Sequence, residues 1–306
     1  MKKILLIKHG ALGDIVFSLP VMHAIKEFYF NSSIDLLTEK KYISFFHKSN
    51  FFHNIIEDNR STNIWHTCLL LIKLLDNKYD LVIDLQNSQR TTFYNLFFRL
   101  VSKTKISSSR KFANFRYHIP IQGYESTTKG LFNQIKLLKI PTIINLQYDW
   151  LKINLGNKFK KSIVLFIPGV SKNGGYKQWN PDKFASLALY CENKNYQICL
   201  VGTNKDKNSI LPIINECKNI INYIDISPPE VIYSIAQIST LVITNDTGPG
   251  HIASLSKTNI LWIANNNKIT KANITKKSNN YLVSSANIKD ISVDTVIDYI
   301  KNHELL

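Results

Sequence analysis

The sequence predicts an α/β protein made of two similar halves, each a parallel sheet flanked by helices. Short apolar runs rich in β-branched residues alternate with segments of helical periodicity, which is the pattern of α/β folds. A polar, weakly patterned segment from Asn145 to Lys161 interrupts this alternation, which then starts again. Because 306 residues are enough for two cores, we expect two Rossmann-like domains, 1–150 and 151–306. Their sheets should face a central ligand-binding cleft, and the last helix is free to pack back on the first domain.

Strands are predicted at short apolar runs, and helices where apolar residues recur at helical spacing. In the first half, the predicted strands are Ile4–Ile7, Ile34–Leu37, Leu81–Leu85 and one around Ile106, and the helices are Ile15–Tyr29, Tyr42–His47, Ile64–Leu75, Thr92–Val101 and Thr128–Leu138. In the second half, the strands are Ile163–Ile167, Gln197–Val201, Asn222–Asp225, Leu241–Thr244, Asn259–Ile263 and Tyr281–Ser284. The helices there are Asp182–Glu192, Lys207–Cys217, Glu230–Gln237, one from Gly250 and one from Val293.

The composition excludes a disordered chain, since 44% of the residues are hydrophobic and only 20% are charged. The apolar run at the N-terminus ends at Lys8 and His9, before it reaches the length of a signal-peptide core. No apolar stretch is long enough for a membrane-spanning helix, so we expect a cytoplasmic protein without a transmembrane segment. The four cysteines form no C-x-x-C pair, and neither a disulfide framework nor a zinc site is predicted.

The net charge of +16 is concentrated in the first half. Up to Leu155 the chain has 21 Lys and Arg against 11 Asp and Glu, and the remainder has 17 against 11. No acidic residue lies between Asp84 and Glu125. The basic residues in that interval are Arg90, Arg99, Lys103, Lys105, Arg110, Lys111 and Arg116. They indicate an anionic partner, which could be a nucleic acid, an acidic membrane face or a phosphorylated or carboxylated substrate; the alternative is a solvated basic face.

The first candidate motif, His9–Asp14, directly follows the first predicted strand. Gly10 and Gly13 allow a tight turn and a close approach of the backbone to a ligand, and Asp14 stands where the helix begins. A dinucleotide fingerprint would need a third glycine at Val16, and a P-loop would need a Gly-Lys-Ser/Thr sequence. Taken alone, Asp14 is better explained as a helix cap.

The second motif, Thr244–His251, ends a strand and opens a helix. The amides around Gly248 and the Thr247 hydroxyl could hold a pyrophosphate, with Asp246 and His251 nearby. The alternative is an ordinary turn in which Asp246 caps the helix. The density of polar and glycine residues favours a functional site.

The third motif runs from Pro168 to Trp179. Its glycines make a mobile loop in which Ser171 and Lys177 could bind and neutralise phosphate oxygens. The alternative is a surface loop with incidental lysines. Trp179 is typical of a hydrophobic anchor before a helix.

In this order, GALGD after the first strand, Pro-Gly-x-Ser with Lys-x-Trp, and Asp-Thr-Gly-Pro-x-His resemble the ADP-heptose:lipopolysaccharide heptosyltransferases. The resemblance extends from Lys3 to Ser256 and includes Leu19-Pro20 and Asp84-Leu85-Gln86. It implies a GT-B fold with an acceptor domain followed by a nucleotide-sugar domain. It also implies an inverting displacement in which Asp14 is the general base.

The resemblance also implies the roles of the other site residues. Ser171 and Lys177 would hold the donor phosphates and sugar, Thr247 and Gly248 the phosphates, and Asp246 would lie near the sugar with His251. Asp206 would contact the adenosine ribose. Neither a metal nor a cofactor is expected, because a lysine and helix amides would stabilise the departing ADP.

The basic interval then has a natural partner in an anionic lipopolysaccharide core at the inner face of the inner membrane. The residues expected to bind this acceptor are Arg90, Arg110, Lys111 and Arg116. The segment Ala264–Lys268 departs from the family's Gly-containing aromatic turn, which leaves two alternatives: a degenerate nucleotide-sugar-binding protein, or a transferase for another nucleotide sugar. A nucleic-acid binder is not expected, because no recognition module is present.

Overall fold

The computed structural model describes residues 1–121, 126–142, 146–156, 159, 162–171, 173–274 and 277–306. The chain divides into two compact units, Met1–Trp150 and Leu151–Leu306. Asn145 and several other residues of the predicted linker lie outside the described residues, as does the loop residue Lys172.

Among the described residues, the first unit contains a six-stranded parallel sheet in the order β3-β2-β1-β4-β5-β6. Its strands are β1 (Lys3–Ile7), β2 (Ser33–Thr38), β3 (Asn54–Glu57), β4 (Leu81–Asp84), β5 (Lys105–Ser108) and β6 (Phe115–Arg116). Its helices are α1 (Leu12–Phe28), α2 (Ile43–His47), α3 (Ile64–Leu75), α4 (Gln89–Val101) and α5 (Thr127–Lys136). The strand order reverses between β1 and β4, so a crevice opens there at the carboxyl ends of the strands.

The second unit has a parallel sheet with the same relative strand order, β12-β11-β10-β7-β8-β9. Its strands are β7 (Ile163–Ile167), β8 (Gln197–Gly202), β9 (Ile220–Ile224), β10 (Leu241–Asn245), β11 (Asn259–Asn265) and β12 (Asn280–Ser285). Its helices are α6 (Pro181–Asn193), α7 (Lys207–Glu216), α8 (Pro229–Ile238), α9 (Gly248–Ala253), α10 (Lys268–Ile274) and α11 (Val293–Asn302). Here the order reverses between β7 and β10. The predicted α/β class with two parallel sheets is confirmed.

The central strands are buried on both faces of their sheets. Every residue of Ile4–Ile7 is fully buried, and Ile163–Ile167 is at most 2% exposed, which explains why these strands appear in the sequence as unbroken apolar runs. In the second unit, the last helix, α11, packs in the core with α6 through Val296 and Ile300.

The main differences from the predicted elements lie in short polar segments. The sequence analysis missed β3, β6 and α10, which carry little apolar periodicity. In addition, α1 begins at Leu12 rather than Ile15, which places Asp14 inside the first helical turn. No helix within the described residues has the length and hydropathy needed to span a membrane.

Candidate functional site

The glycine loop after β1 requires glycine at Gly10. Its φ of +111° lies in a region that other residues rarely adopt. A Cβ atom there would lie 2.8 Å from Asp14 Oδ2. The Gly10 N–H donates to Glu39 Oε1 at 2.9 Å, and the Tyr42 hydroxyl donates to the Gly10 carbonyl at 2.9 Å. The segment after β2 therefore holds this loop from one side.

Asp14 is an exposed carboxylate in the first turn of α1, directly after Gly13. The N-cap residue is Ala11, whose side chain cannot cap. Instead, Asp14 Oδ2 accepts a hydrogen bond from the Ala11 N–H at 3.0 Å. This bond is one half of a capping box. Asp14 therefore does help to cap the helix, but from the third helical position and not from the N-cap position. Its carboxylate stays exposed at the strand-end edge of the first sheet.

A buried ion cluster lies beneath the glycine loop. His9 Nε2 is 3.3 Å from Asp58 Oδ2, Arg90 Nη2 is 3.2 Å from Asp58 Oδ1, and the Tyr94 hydroxyl donates to Asp58 at 2.6 Å. Burial lowers the pKa of His9 to about 4. Burial alone would raise the pKa of Asp58, but the Tyr94 hydrogen bond, the Arg60 N–H and nearby positive charge hold it below its ordinary value. An ionised Asp58 thus joins a neutral His9 to a charged Arg90.

Arg90 makes several contacts inside the first unit. Its guanidinium also donates to the Ser61 carbonyl at 2.8 Å and to Thr67 Oγ1 at 3.2 Å, and it contacts the Tyr94 hydroxyl. The side chain is only 22% exposed. Sequence reasoning placed Arg90 in the acceptor site, and that role stays a prediction; the contacts indicate that Arg90 also fixes the segment between β3 and α3.

The other three predicted acceptor-binding cations lie on the segment after β5. Arg110 Nε donates to Thr92 Oγ1 at 2.9 Å. Arg116 Nε lies 3.5 Å from the Ser109 carbonyl, and both Arg116 and Lys111 are exposed. Arg110 is therefore tied to α4, whereas Lys111 and Arg116 present exposed charge on the same segment.

The turn after β4 connects directly to the glycine loop. The His9 N–H donates to Gln86 Oε1 at 3.0 Å, which joins the carboxyl ends of β1 and β4. Asp84 is fully buried and accepts hydrogen bonds from the Gln86 N–H at 3.0 Å and from Ser108 Oγ at 2.8 Å. Asp84-Leu85-Gln86 therefore shapes the edge of the crevice where the strand order reverses.

In the second unit, the site residues meet at Asp246, at the reversal between β7 and β10. Lys177 Nζ lies 2.8 Å from Asp246 Oδ2, and His251 Nε2 lies 3.0 Å from Oδ1. Burial alone would raise the pKa of Asp246, but His251 and then Lys177 hold it well below the usual range. Because an ionised carboxylate can only accept, His251 carries its proton on Nε2. The structure thus brings together three of the predicted donor-site residues.

Two buried side chains position Lys177. The Trp179 ring is fully buried, and its Nε1 donates to the Ile291 carbonyl at 2.9 Å. Asn245, at the end of β10, accepts from the Trp179 N–H at 3.1 Å and donates to the Pro168 carbonyl at 2.9 Å. Both ends of the glycine-rich loop are therefore tied to the strand that precedes Asp246, which confirms Trp179 as an anchor.

The remaining predicted donor-site residues line the same strand-end edge. Thr247 is the N-cap residue of α9, which corrects the assignment of that position to Asp246, and Gly248 is the first helical residue. Ser171 is exposed, and its carbonyl accepts from the Gly174 N–H at 2.7 Å. Asp206 accepts from the Thr203 N–H at 2.9 Å.

Asp206 also faces the start of the glycine-rich loop. A Cβ atom at Gly169 would lie 2.5 Å from the Asp206 carboxylate. A glycine is therefore required for β7 and β8 to bring these two segments together.

Sequence reasoning missed three residues that contact predicted site residues, one in the first unit and two in the second. Asp58 gives no local signal, since it becomes a partner of His9 only through the fold. Asn245 lies inside the second motif but was given no role. Thr270, on α10, donates to Asp246 Oδ2 at 3.3 Å, so the polar helix that follows β11 contributes to the Asp246 cluster. Within the described ranges, no group of three or more His, Cys, Asp or Glu side chains is placed to hold a metal ion.

Comparison with known proteins supports one family. The chain is 28% identical over 275 residues to lipooligosaccharide heptosyltransferase 2 of Campylobacter jejuni, covering 85% of this chain and 80% of that protein. Its fold is similar to that of E. coli ADP-heptose LPS heptosyltransferase II, with a TM-score of 0.77 and 16% identity, over 100% of this chain and 98% of the other. It is also similar to E. coli heptosyltransferase WaaC with ADP, with a TM-score of 0.76 and 15% identity, over 99% and 98% of the two chains.

The family model described as glycosyltransferase family 9 (heptosyltransferase) matches residues 69–287. This range includes the Asp246 cluster, the Lys177 loop and the basic interval after Asp84. The enzyme class and the GT-B type of fold expected from the motifs agree with this match. Because the match spans more than half of the chain, the protein belongs to glycosyltransferase family 9, the heptosyltransferases.

Proposed function

We propose that this chain transfers a heptose, or a closely related sugar, from an ADP-sugar to an anionic lipopolysaccharide core acceptor with inversion at the anomeric carbon. The observation that carries the proposal is the Lys177–Asp246–His251 cluster, which lies at the strand-order reversal where α/β sheets bind ligands. Two similar proteins support the nature of the donor, since one is named for ADP-heptose and the other was solved with ADP.

In the proposed reaction, Asp14 takes the proton from an acceptor hydroxyl. The freed oxygen attacks the anomeric carbon, and the bond from that carbon to the pyrophosphate oxygen breaks. The electron pair leaves with ADP. The exposed position of Asp14 suits this role, because a general base has to reach its substrate.

Lys177 would neutralise the charge that develops on the departing ADP. Its ammonium group is held by Asp246 at 2.8 Å and stays 31% exposed, so it is oriented and still accessible to a phosphate. A preoriented cation of this kind stabilises the transition state without reorganising during the reaction. We therefore propose that transfer needs no metal.

Two further parts of the proposal concern the acceptor and the place of action. Arg110, Lys111 and Arg116 would contact carboxylates or phosphates of the acceptor. The enzyme would then work in the cytoplasm, peripherally at the inner face of the inner membrane.

A thermal-shift screen against ADP-, UDP- and GDP-sugars tests the donor assignment. A true donor stabilises the folded state through binding, so ADP-sugars should raise the melting temperature most. A response to UDP-sugars alone would favour the alternative of a transferase for another nucleotide sugar. Binding of ADP-heptose without turnover on any core acceptor would favour the degenerate protein.

A further inference from the structure

Residues 110–121, here called the 110–121 segment, expose four large apolar side chains. Phe112 is 43% exposed, Phe115 36%, Ile119 44% and Ile121 fully exposed. These four side chains lie within twelve consecutive residues, and clusters of exposed apolar side chains usually mark an interaction site.

The backbone of this segment is nevertheless held against the first unit. β6 pairs with β5 through Ser107 with Phe115 and Ser108 with Arg116. The Asn114 side chain accepts from the Ile106 N–H at 3.0 Å, and Ala113 packs against the core cluster beside α4. Ala113 and Asn114 therefore hold the segment against the protein, while Phe112 and Phe115 stay partly exposed.

Phe112 is partly exposed, and its backbone adopts an unfavourable conformation to hold it there. Its φ is +69°, a region that is unusual for a bulky residue. Such a conformation persists only where the surroundings impose it, and it is often found at functional positions. Here it turns an aromatic ring outward beside Lys111.

The charge pattern of the segment identifies the kind of partner. Arg110, Lys111 and Arg116 are interspersed with the exposed apolar residues, and no acidic residue occurs between Asp84 and Glu125. A nucleic acid would match the cations but not the exposed isoleucines. An anionic bilayer matches both, because lipid phosphates attract the cations while apolar side chains enter the boundary between headgroups and acyl chains.

We propose that the 110–121 segment docks this chain on an anionic lipid surface. Phe112, Phe115, Ile119 and Ile121 enter the interface, and while no acceptor is bound the three cations bind lipid headgroup phosphates. This inference rests on the proposed function in one respect, since a lipid-anchored acceptor would be presented at such a surface. Docking requires neither donor nor acceptor, and it is therefore measured separately from transfer.

Sedimentation with phosphatidylcholine vesicles, with and without phosphatidylglycerol, tests the proposal. The unmodified chain should bind the anionic vesicles and not the neutral ones. R110Q/K111Q/R116Q should lower the partition coefficient about 10–100-fold, because each basic residue near such a surface adds appreciable affinity. The matched control, K194Q/K218Q/K257Q, removes three exposed lysines of the second unit and should bind as the unmodified chain does.

The apolar contribution needs its own variant. In F112N/F115T/I119S/I121S, the asparagine tolerates the positive φ at position 112, and the threonine suits the strand at position 115. It should also lose vesicle binding while keeping the melting temperature and ADP affinity of the unmodified chain, which shows that it is folded. Its control, I226S/I238S, removes exposed isoleucines of the second unit and should bind normally. As an independent reporter, the tryptophan emission of I121W should shift to shorter wavelength on anionic vesicles.

Several outcomes would overturn the proposal. Equal binding to neutral and anionic vesicles would do so, as would unchanged binding of the apolar variant. So would a control variant that loses as much vesicle binding as its test variant, or an I121W emission that does not shift. Binding of a soluble core fragment without any vesicle binding would restrict the three cations to the acceptor and overturn docking. Normal docking without transfer would count against the proposed function and leave the docking surface intact.

Discussion

At the scale of single residues, Asp14 combines a structural contact with the proposed chemistry, and D14N separates the two. An asparagine can still accept the hydrogen bond from the Ala11 N–H, but it cannot take a proton. We expect kcat to fall by about 10²–10⁴ while the ADP dissociation constant and melting temperature stay close to normal. Steady-state kinetics and calorimetry measure these quantities. A near-normal kcat would remove Asp14 from the mechanism and leave it as a capping residue.

Lys177 is the residue whose loss should most directly weaken the donor site. K177A removes a charge-assisted donor, and we expect ADP to bind roughly 10-fold or more weakly. T247A should have a smaller effect, because the lost hydroxyl is uncharged. K194A, an exposed lysine of the same unit, is the control and should bind ADP normally in a titration. An unchanged affinity in K177A would place the pyrophosphate elsewhere.

At the scale of elements, the three cations of the 110–121 segment should contribute to acceptor binding independently of the donor site. On a soluble core acceptor, R110Q/K111Q/R116Q should raise KM several-fold without abolishing turnover, because partly exposed charges each contribute little. Adding salt should shrink the difference from the unmodified enzyme, because salt screens the same interactions. ADP affinity should not change. Unaltered kinetics at low salt would mean that these cations are solvated and do not contact the acceptor.

The elements that sequence reasoning recovered are those with a strong apolar pattern, either an unbroken run or a helical periodicity. Ile4–Ile7 and Ile163–Ile167 are buried central strands, and their apolar runs identify them without any tertiary information. The four residues of β3 and the two of β6 form strands because a neighbouring strand offers them hydrogen bonds, which no local pattern reveals. Helix α10 was not predicted either, because its sequence is polar and lacks a clear apolar face.

The site shows the same division between local and long-range information. Lys177 and Asp246 lie in glycine-containing motifs at strand ends and were predicted together. Their partner Thr270 comes from a different element, and the Asp58–Arg90 pair joins residues 32 positions apart. Which polar side chains complete a site therefore depends on strand order, which a single sequence constrains only weakly.

At the scale of the whole molecule, buried His9 should make stability fall in mild acid. The unfolded chain takes up the His9 proton near its ordinary pKa of about 6.5, whereas burial lowers the pKa of the folded state to about 4. The unfolded state therefore binds more protons between these values, and stability falls as the pH drops through that window, by about 3 kcal/mol in total. Urea unfolding at several pH values measures this slope.

The matched variant for this pH dependence is H9Q, which removes the titrating group and keeps a polar side chain. Its unfolding free energy should be lower throughout but should vary less between pH 6.5 and pH 4. An identical slope in both proteins would mean that His9 takes up its proton in the folded state as readily as in the unfolded one.

The central claim concerns the reaction itself, and acceptor-dependent release of ADP tests it most directly. The purified chain is incubated in the presence of EDTA with ADP-heptose and a lipopolysaccharide core that lacks the heptose to be added. We predict one ADP per glycosylated core and, by NMR, a product whose anomeric configuration is opposite to that of the donor. Retention of configuration, a loss of activity in EDTA that Mg²⁺ restores, or transfer only from a different nucleotide sugar would contradict this account.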